Sequence, residues 1–203
     1  MTKRKLKELC ESRILLLDGA TGTNLQKAGM PTGVCPEQWI LENKEEAKKL
    51  QMEFLEAGTD ILYAPTFSAN RIKLAEYGLQ EKLEEMNREL VQLSKDAVAA
   101  YEEKTHCSAG SHFVAGDLTM TGELLYPVGK LQFEELVDIY KEQVSVLVEA
   151  GVDLFVVETM MSLQECRAAV LAVKETCDLP VMVTLTFAGD NKTMFGTTLL
   201  SKG

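Results

Sequence analysis

The chain has 203 residues, 46% hydrophobic and 26% charged, which is enough for one sizeable core. Its 31 acids against 21 bases leave a net charge of −10, which argues against a nucleic-acid partner, since phosphate binding needs a clustered basic face. No apolar run approaches the roughly 18 residues that a bilayer span needs, so no membrane partner is expected.

The opening MTKRKLKELCESR is basic with no apolar core behind it, and it reads as a short amphipathic helix. A cytoplasmic protein is the expectation. ILLL at 14–17 is a short apolar strand that runs into DGATGT at 18–23. Residues 47–57 have helical spacing and stop at Gly58, and DILYA at 60–64 is a strand. A short helix over 70–77 takes Asn70 as its cap and Gly78 as its stop. A long amphipathic helix fills 81–103, followed by the strand HFVAGD at 112–117 and a helix over 131–150 that ends at Gly151. DLFVVE at 153–158 is a strand. Ser162 and Glu165 form a capping-box pattern for a helix to about residue 176, and PVMVTLTF at 180–187 is the last strand.

These five strands are apolar along their whole length, as strands of parallel sheets covered on both faces are. No low-complexity segment or linker divides them, so residues 1–203 read as one domain. FLEAGTDILYAPTF at 54–67 is echoed by LVEAGVDLFVVETM at 147–160. The echo admits two readings: a turn that any βα unit needs, or a barrel of repeated βα units.

Polar residues stand at the strand ends: Asp18, Thr66, Asp117 and Glu158. Parallel α/β sheets bind ligands there. Carboxylates converging at such a place raise one another's proton affinity unless a cation sits among them, although each acid alone reads equally well as a cap. DGATGT is neither a phosphate-binding P-loop nor a dinucleotide fingerprint. Gly19 and Gly22 let the backbone approach a ligand, and turn N–H groups can hold a carboxylate. With Asp18 as an acceptor beside them, the stretch suits an amino-acid zwitterion.

The five cysteines, Cys10, Cys35, Cys107, Cys166 and Cys177, follow no zinc or C-x-x-C spacing and suggest no disulfide. His106 and His112 are the only histidines and form no ligand pair; His112 reads as structural. Trp39, near Pro36, is expected to pack a loop onto the fold, and the nine methionines read as core filler.

The segments LLLDGATGTNLQKAG, EAGTDILYAPTFSANRIKLAEYGL, AGDLTMTGELLYPVG and PVMVTLTFAGDNKTMFGTTL, in this order, resemble the homocysteine S-methyltransferase domain family. They are most similar to the N-terminal homocysteine-binding module of cobalamin-dependent methionine synthase. The resemblance implies an α/β fold, a (β/α)8 TIM-type barrel, in which the homocysteine thiolate accepts a methyl group to give methionine. It implies that the backbone of Gly19 and Ala20 holds the substrate carboxylate and that Asp18 and Glu158 hold its ammonium. It also implies substrate contacts at Thr66 and, nearby, at Asn70. Where many relatives carry Gly-Pro, this chain has Thr119 and Met120, which puts the shape of that loop in doubt.

In the family, three cysteines after later strands bind zinc, which presents the thiol as thiolate. None of the five cysteines here matches those positions. The chain resembles about the first two thirds of the domain, so an incomplete barrel with an open edge is expected, C-terminally truncated relative to the family. Such an edge invites self-association or a partner chain. Corrinoid and methylfolate are expected only through other domains or chains. Two functions compete: a methyltransferase domain that supplies the amino-acid half of the site, or a non-catalytic amino-acid-binding module or inactive fragment. Betaine and S-methylmethionine branches of the family share these motifs.

Overall fold

Strands that are apolar on both faces need cover on both, and helices between the strands provide it. In the computed structural model, which describes residues 1–108 and 110–198, the order is α1 (Lys3–Ser12), α2 (Thr21–Lys27), α3 (Pro36–Glu42), α4 (Lys44–Glu56), β1 (Ile61–Tyr63), α5 (Arg71–Ala75), a 3-10 turn (Gln80–Lys82) and α6 (Leu83–Thr105). Then come β2 (Phe113–Leu118), α7 (Phe133–Ala150), β3 (Leu154–Met160), α8 (Leu163–Thr176) and β4 (Val181–Leu185). The four strands form one parallel sheet in the order β1-β2-β3-β4. Sequential parallel pairing through helical crossovers is the arrangement of a TIM-type barrel left open.

The stop signals act as expected. Gly58, Gly78 and Gly151 all adopt positive φ just past their helices. Asn70 Oδ1 accepts from Lys73 N at 3.0 Å and caps α5.

Residues 14–17 differ from the strand expected there. They meet β1 through one parallel bridge, Leu17 with Ile61, and through Asp60 N donating to Leu16 O at 2.8 Å. With β1 on one side only, Ile14 stays 84% exposed. The segment lies where a further strand would pair, without becoming one. Two seven-residue helices, α2 and α3, stand where the sequence read as turn and loop. Trp39 is therefore a helical residue, packing beside Leu25, Ile40 and Leu90.

The two faces of the sheet divide by parity. Val114, Leu118, Phe155 and Val157 pack with Tyr140, Val144 and Ala169 of α7 and α8. Ile61, Phe113, Ala115, Leu154 and Val156 form the opposite face, covered at its lower end by Leu6 and Leu9 of α1. Gly116 sits where β2 meets the helix layer. A Cβ there would lie 3.1 Å from Phe155 Cε1 and 3.2 Å from Leu147 Cδ1.

The echo has a structural meaning. Asp60 Oδ2 accepts the backbone N–H of Leu16 at 2.8 Å, and Asp153 Oδ2 accepts that of Val114 at 3.0 Å. In each repeat the Asp before a strand ties down the neighbouring segment.

Candidate functional site

By the same parity, Tyr63 continues the face of Ile61, Asp117 that of Phe113 and Ala115, and Glu158 that of Leu154 and Val156. One face of the sheet is thus apolar at its lower end and acidic at its carboxyl end. Above it opens a cleft of about 530 Å³ whose wall includes Asp18, Gly19, Ala20, Glu37, Asp117 and Glu158. Among the described residues, none that lines it is basic.

Each acid is held differently. Asp18 Oδ2 accepts the backbone N–H of Tyr63 at 2.8 Å. Glu37, only 3% exposed, arrives from the first turn of α3. Its Oε1 accepts Ser68 N at 2.8 Å and its Oε2 accepts Cys35 Sγ at 3.4 Å. Asp117 is 5% exposed, and its Oδ1 has no hydrogen-bond partner among the described residues. Glu158 is half-buried.

With no counter-cation the acids favour their protonated forms. Burial pushes the Asp18 carboxyl up to about 7, against the Tyr63 N–H and reinforced by Glu158. Asp117 is raised well above its usual range, first by burial and then by Glu158, Asp18 and Glu37. Burial also raises Glu37 and Glu158. The Tyr63 phenol rises too, through burial and then through Glu158, Asp117 and Asp18.

The glycine-rich stretch is a short turn that leads into α2. Ala20 at the N-cap has no side chain to accept from the first-turn amides, so those N–H groups lack intrahelical partners. Gly19 leaves room for Phe54, since a Cβ there would approach its Cε1 to 3.0 Å and the ring would have to shift. Just past Glu158, β3 bulges against β4, and Thr159 takes φ +55. Such bulges re-aim side chains next to sites. The Thr119–Met120 departure is anchored to this same strand: Thr119 Oγ1 donates to Glu158 O at 3.1 Å, and Met161 N donates to Met120 Sδ at 3.2 Å.

Asp18, Gly19, Ala20 and Glu158 are thus brought together on one wall. Thr66 and Asn70 are not. Both are fully buried and lie behind the lining. Thr66 Oγ1 donates to Asp117 O at 2.9 Å and accepts from Asp117 N at 3.1 Å, so it clamps the backbone of β2. Glu37 is the acid that sequence reasoning missed. A glutamate in the first turn of a helix ordinarily complements the helix dipole in solvent, and nothing local marks this one as buried.

The cleft wall carries carboxylates and backbone groups but no thiolate. Cys35 caps α3 and is buried, Cys166 lies in α8, and Cys10, Cys107 and Cys177 lie elsewhere. Among the described residues, no group of three or more His, Cys, Asp or Glu could hold a metal ion. These residues do not fit a thiolate zinc centre. His112 Nδ1 sits 3.3 Å from Glu102 Oε1, with its ring edge-on to Tyr101. Among the described residues, no helix is long and apolar enough to cross a membrane.

The model of the homocysteine S-methyltransferase family matches residues 15–201. Among solved structures, the metallated form of the homocysteine methyltransferase MmuM from Escherichia coli superposes with a TM-score of 0.79 at 22% identity, over 96% of this chain and 70% of that one. Its oxidized form gives 0.79 at 23% over the same shares, and its apo form 0.73 at 23%, over 96% and 68%. At such identities the likeness is one of fold.

Proposed function

The chain belongs to the homocysteine S-methyltransferase family, and from that premise we propose that its acidic cleft holds the amino-acid end of homocysteine. At family level the reaction moves a methyl group onto the homocysteine thiol to give methionine. The observation that carries the reading is a cleft lined, among the described residues, by four carboxylates and no basic side chain, beside a turn into α2 that has no side-chain cap. An ammonium group supplies the cation those acids lack, and the turn amides of Gly19 and Ala20 suit the carboxylate of the same zwitterion. Asp18 and Glu158 are the acceptors proposed for the ammonium. Thr66 and Asn70 serve behind the wall, through Asp117 and through α5.

In this reading the chain supplies the amino-acid half of the site. Zinc, where the family uses it, lowers the pKa of the substrate thiol; this chain's described residues provide no thiolates for it, so no step is assigned through a metal. That donor set favours a second reading, a binding module or inactive fragment without chemistry of its own. Corrinoid or methylfolate would then reach the substrate only from other domains or chains. The open side of β4, where Val183 is 42% exposed, suits a second copy or a partner chain.

Calorimetry with homocysteine, methionine and glycine tests the binding claim. Homocysteine should bind, glycine should bind far more weakly, and Glu158→Ala should abolish the signal. Zinc analysis with a turnover assay separates the two readings. Turnover with stoichiometric zinc would show that the ligand assignment is wrong.

A further inference from the structure

We propose that Asp117 is a third acceptor for the ligand's ammonium group, with Thr66 as the positioning residue that sets it. The inference rests on the amino-acid reading of the cleft and deepens it. An ammonium group carries three N–H donors and no acceptor. Of the four carboxylates that line the cleft, Glu37 comes from α3 and the other three from neighbouring strand ends: Asp18 after the bridge to β1, Asp117 from β2 and Glu158 from β3. Two are accounted for in the proposal above. Asp117 is the one with an unfilled position.

Its side chain is 5% exposed, and its Oδ1 is buried without a partner among the described residues. A buried acceptor without a donor is unfavourable unless a ligand fills it. Both charges nearest to it in the cleft, Glu158 and Asp18, are of the same sign. The missing donor is therefore a cation or a neutral N–H or O–H group, and the surrounding acids favour the cation. Anionic ligand groups are excluded from this end of the cleft on the same ground.

Thr66 is fully buried, and its hydroxyl donates to Asp117 O and accepts from Asp117 N, so it holds the backbone of β2 and does not face a ligand. Its own carbonyl accepts Gln143 Nε2 at 2.8 Å, which ties the clamp to α7. The clamp fixes the height of Asp117 along β2, and with it the position at which the third N–H is met.

Three probes test this by calorimetry on the whole chain: homocysteine, its des-amino analogue 4-sulfanylbutanoate, and the amine 3-sulfanylpropylamine. Asp117→Asn should weaken homocysteine and the amine by about ten- to hundredfold, as loss of a charged hydrogen bond does. It should leave the des-amino analogue unchanged or tighter. Thr66→Val should erode the preference for amine over des-amino probe, and Thr66→Ser, which keeps the hydroxyl, should restore it. Equal weakening of all three probes by Thr66→Val would make Thr66 merely structural and overturn that half of the proposal. If Asp117→Asn and Asp117→Ala both bind the amine as the parent does, the Asp117 assignment is wrong, whatever homocysteine does. If the parent binds the amine but not homocysteine, the amino-acid reading falls while Asp117 is still tested. If the parent binds no ammonium probe, both fall.

Discussion

Asp18→Asn separates the contribution of this acid to folding from its contribution to binding. Burial raises its carboxyl from the ordinary 3.8 to about 7. An acid raised in this way binds more protons in the folded chain than in the unfolded one, so stability falls as pH rises. Below about pH 4 both states are protonated and the penalty vanishes; it grows through the interval to about 7 and is complete above it. At about 1.4 kcal/mol per decade, the rise of about three decades sets a ceiling of roughly 4 kcal/mol. Asp18 is only partly buried, and solvent screening reduces this to roughly 2 kcal/mol. Asparagine keeps an oxygen for the Tyr63 N–H and carries no charge. The variant should therefore be more stable than the parent by about 2 kcal/mol near pH 8, with the gap closing towards about pH 4. Urea unfolding followed by circular dichroism at both ends of that range measures it. A gap of equal size at both ends, or a less stable variant near pH 8, would refute the reasoning. The same variant should lose homocysteine binding, a stability–function trade-off at one residue.

Gly116→Ala should destabilise the chain by about 1–3 kcal/mol in urea, because its Cβ enters the Phe155 and Leu147 contacts at 3.1 and 3.2 Å. A neutral result would mean that β2 can shift away from the helix layer. Glu165 Oε2 accepts from Thr121 N, Thr121 Oγ1 and Tyr140 Oη at 2.8, 3.0 and 3.2 Å, so Glu165→Leu, which has no acceptor, should cost about 1–3 kcal/mol by leaving buried donors unmatched. Unchanged urea unfolding would show that the loop can find other partners. Sedimentation at micromolar concentration should detect self-association, with a charged substitution at Val183 reducing it; a monomeric parent with a cooperative melt would count against the open-edge reading.

The long elements were legible because they carry their own periodicity and their own stops. The 3.6-residue stripes of α6 and α7 end at left-handed residues, and the apolar runs of β1 to β4 need no further context. Elements of seven residues are different. α2 buries only Leu25, and α3 buries Glu37 and Ile40, which is too few positions to establish a period. The run at 14–17 has strand composition, but composition supplies no partner strand, and here only Leu17 forms a bridge. The Ser162–Glu165 pattern was half legible. Ser162 Oγ accepts Glu165 N at 3.3 Å, while the glutamate turns inward to Thr121 and Tyr140 instead of back to the cap. Thr66 and Asn70 are residue types that ligands use. That both are sealed behind the wall depends on tertiary packing, which no local spacing encodes. The strand-end position of Asp117 was visible in sequence, but its orphaned oxygen was not.

The contrast within one sheet face is what separates function from folding here. At the lower end of that face the chain places Ile61, Phe113, Leu154 and Val156, buried against α1. Two to four residues further along the same strands, at positions of equal parity, it places Asp117 and Glu158, and beside them Asp18. Apolar residues at those positions would continue the existing core and avoid the burden of several raised carboxyls. The echo makes the same point from the other side. Its two aspartates, Asp60 and Asp153, each give one oxygen to a neighbouring backbone N–H and face a cation with the other, Arg13 at 2.6 Å and the N-terminal amine at 3.7 Å, and so belong to the scaffold. The acids of the cleft share their residue type but not that satisfaction, and Asp117 in particular keeps a buried acceptor that no group among the described residues fills.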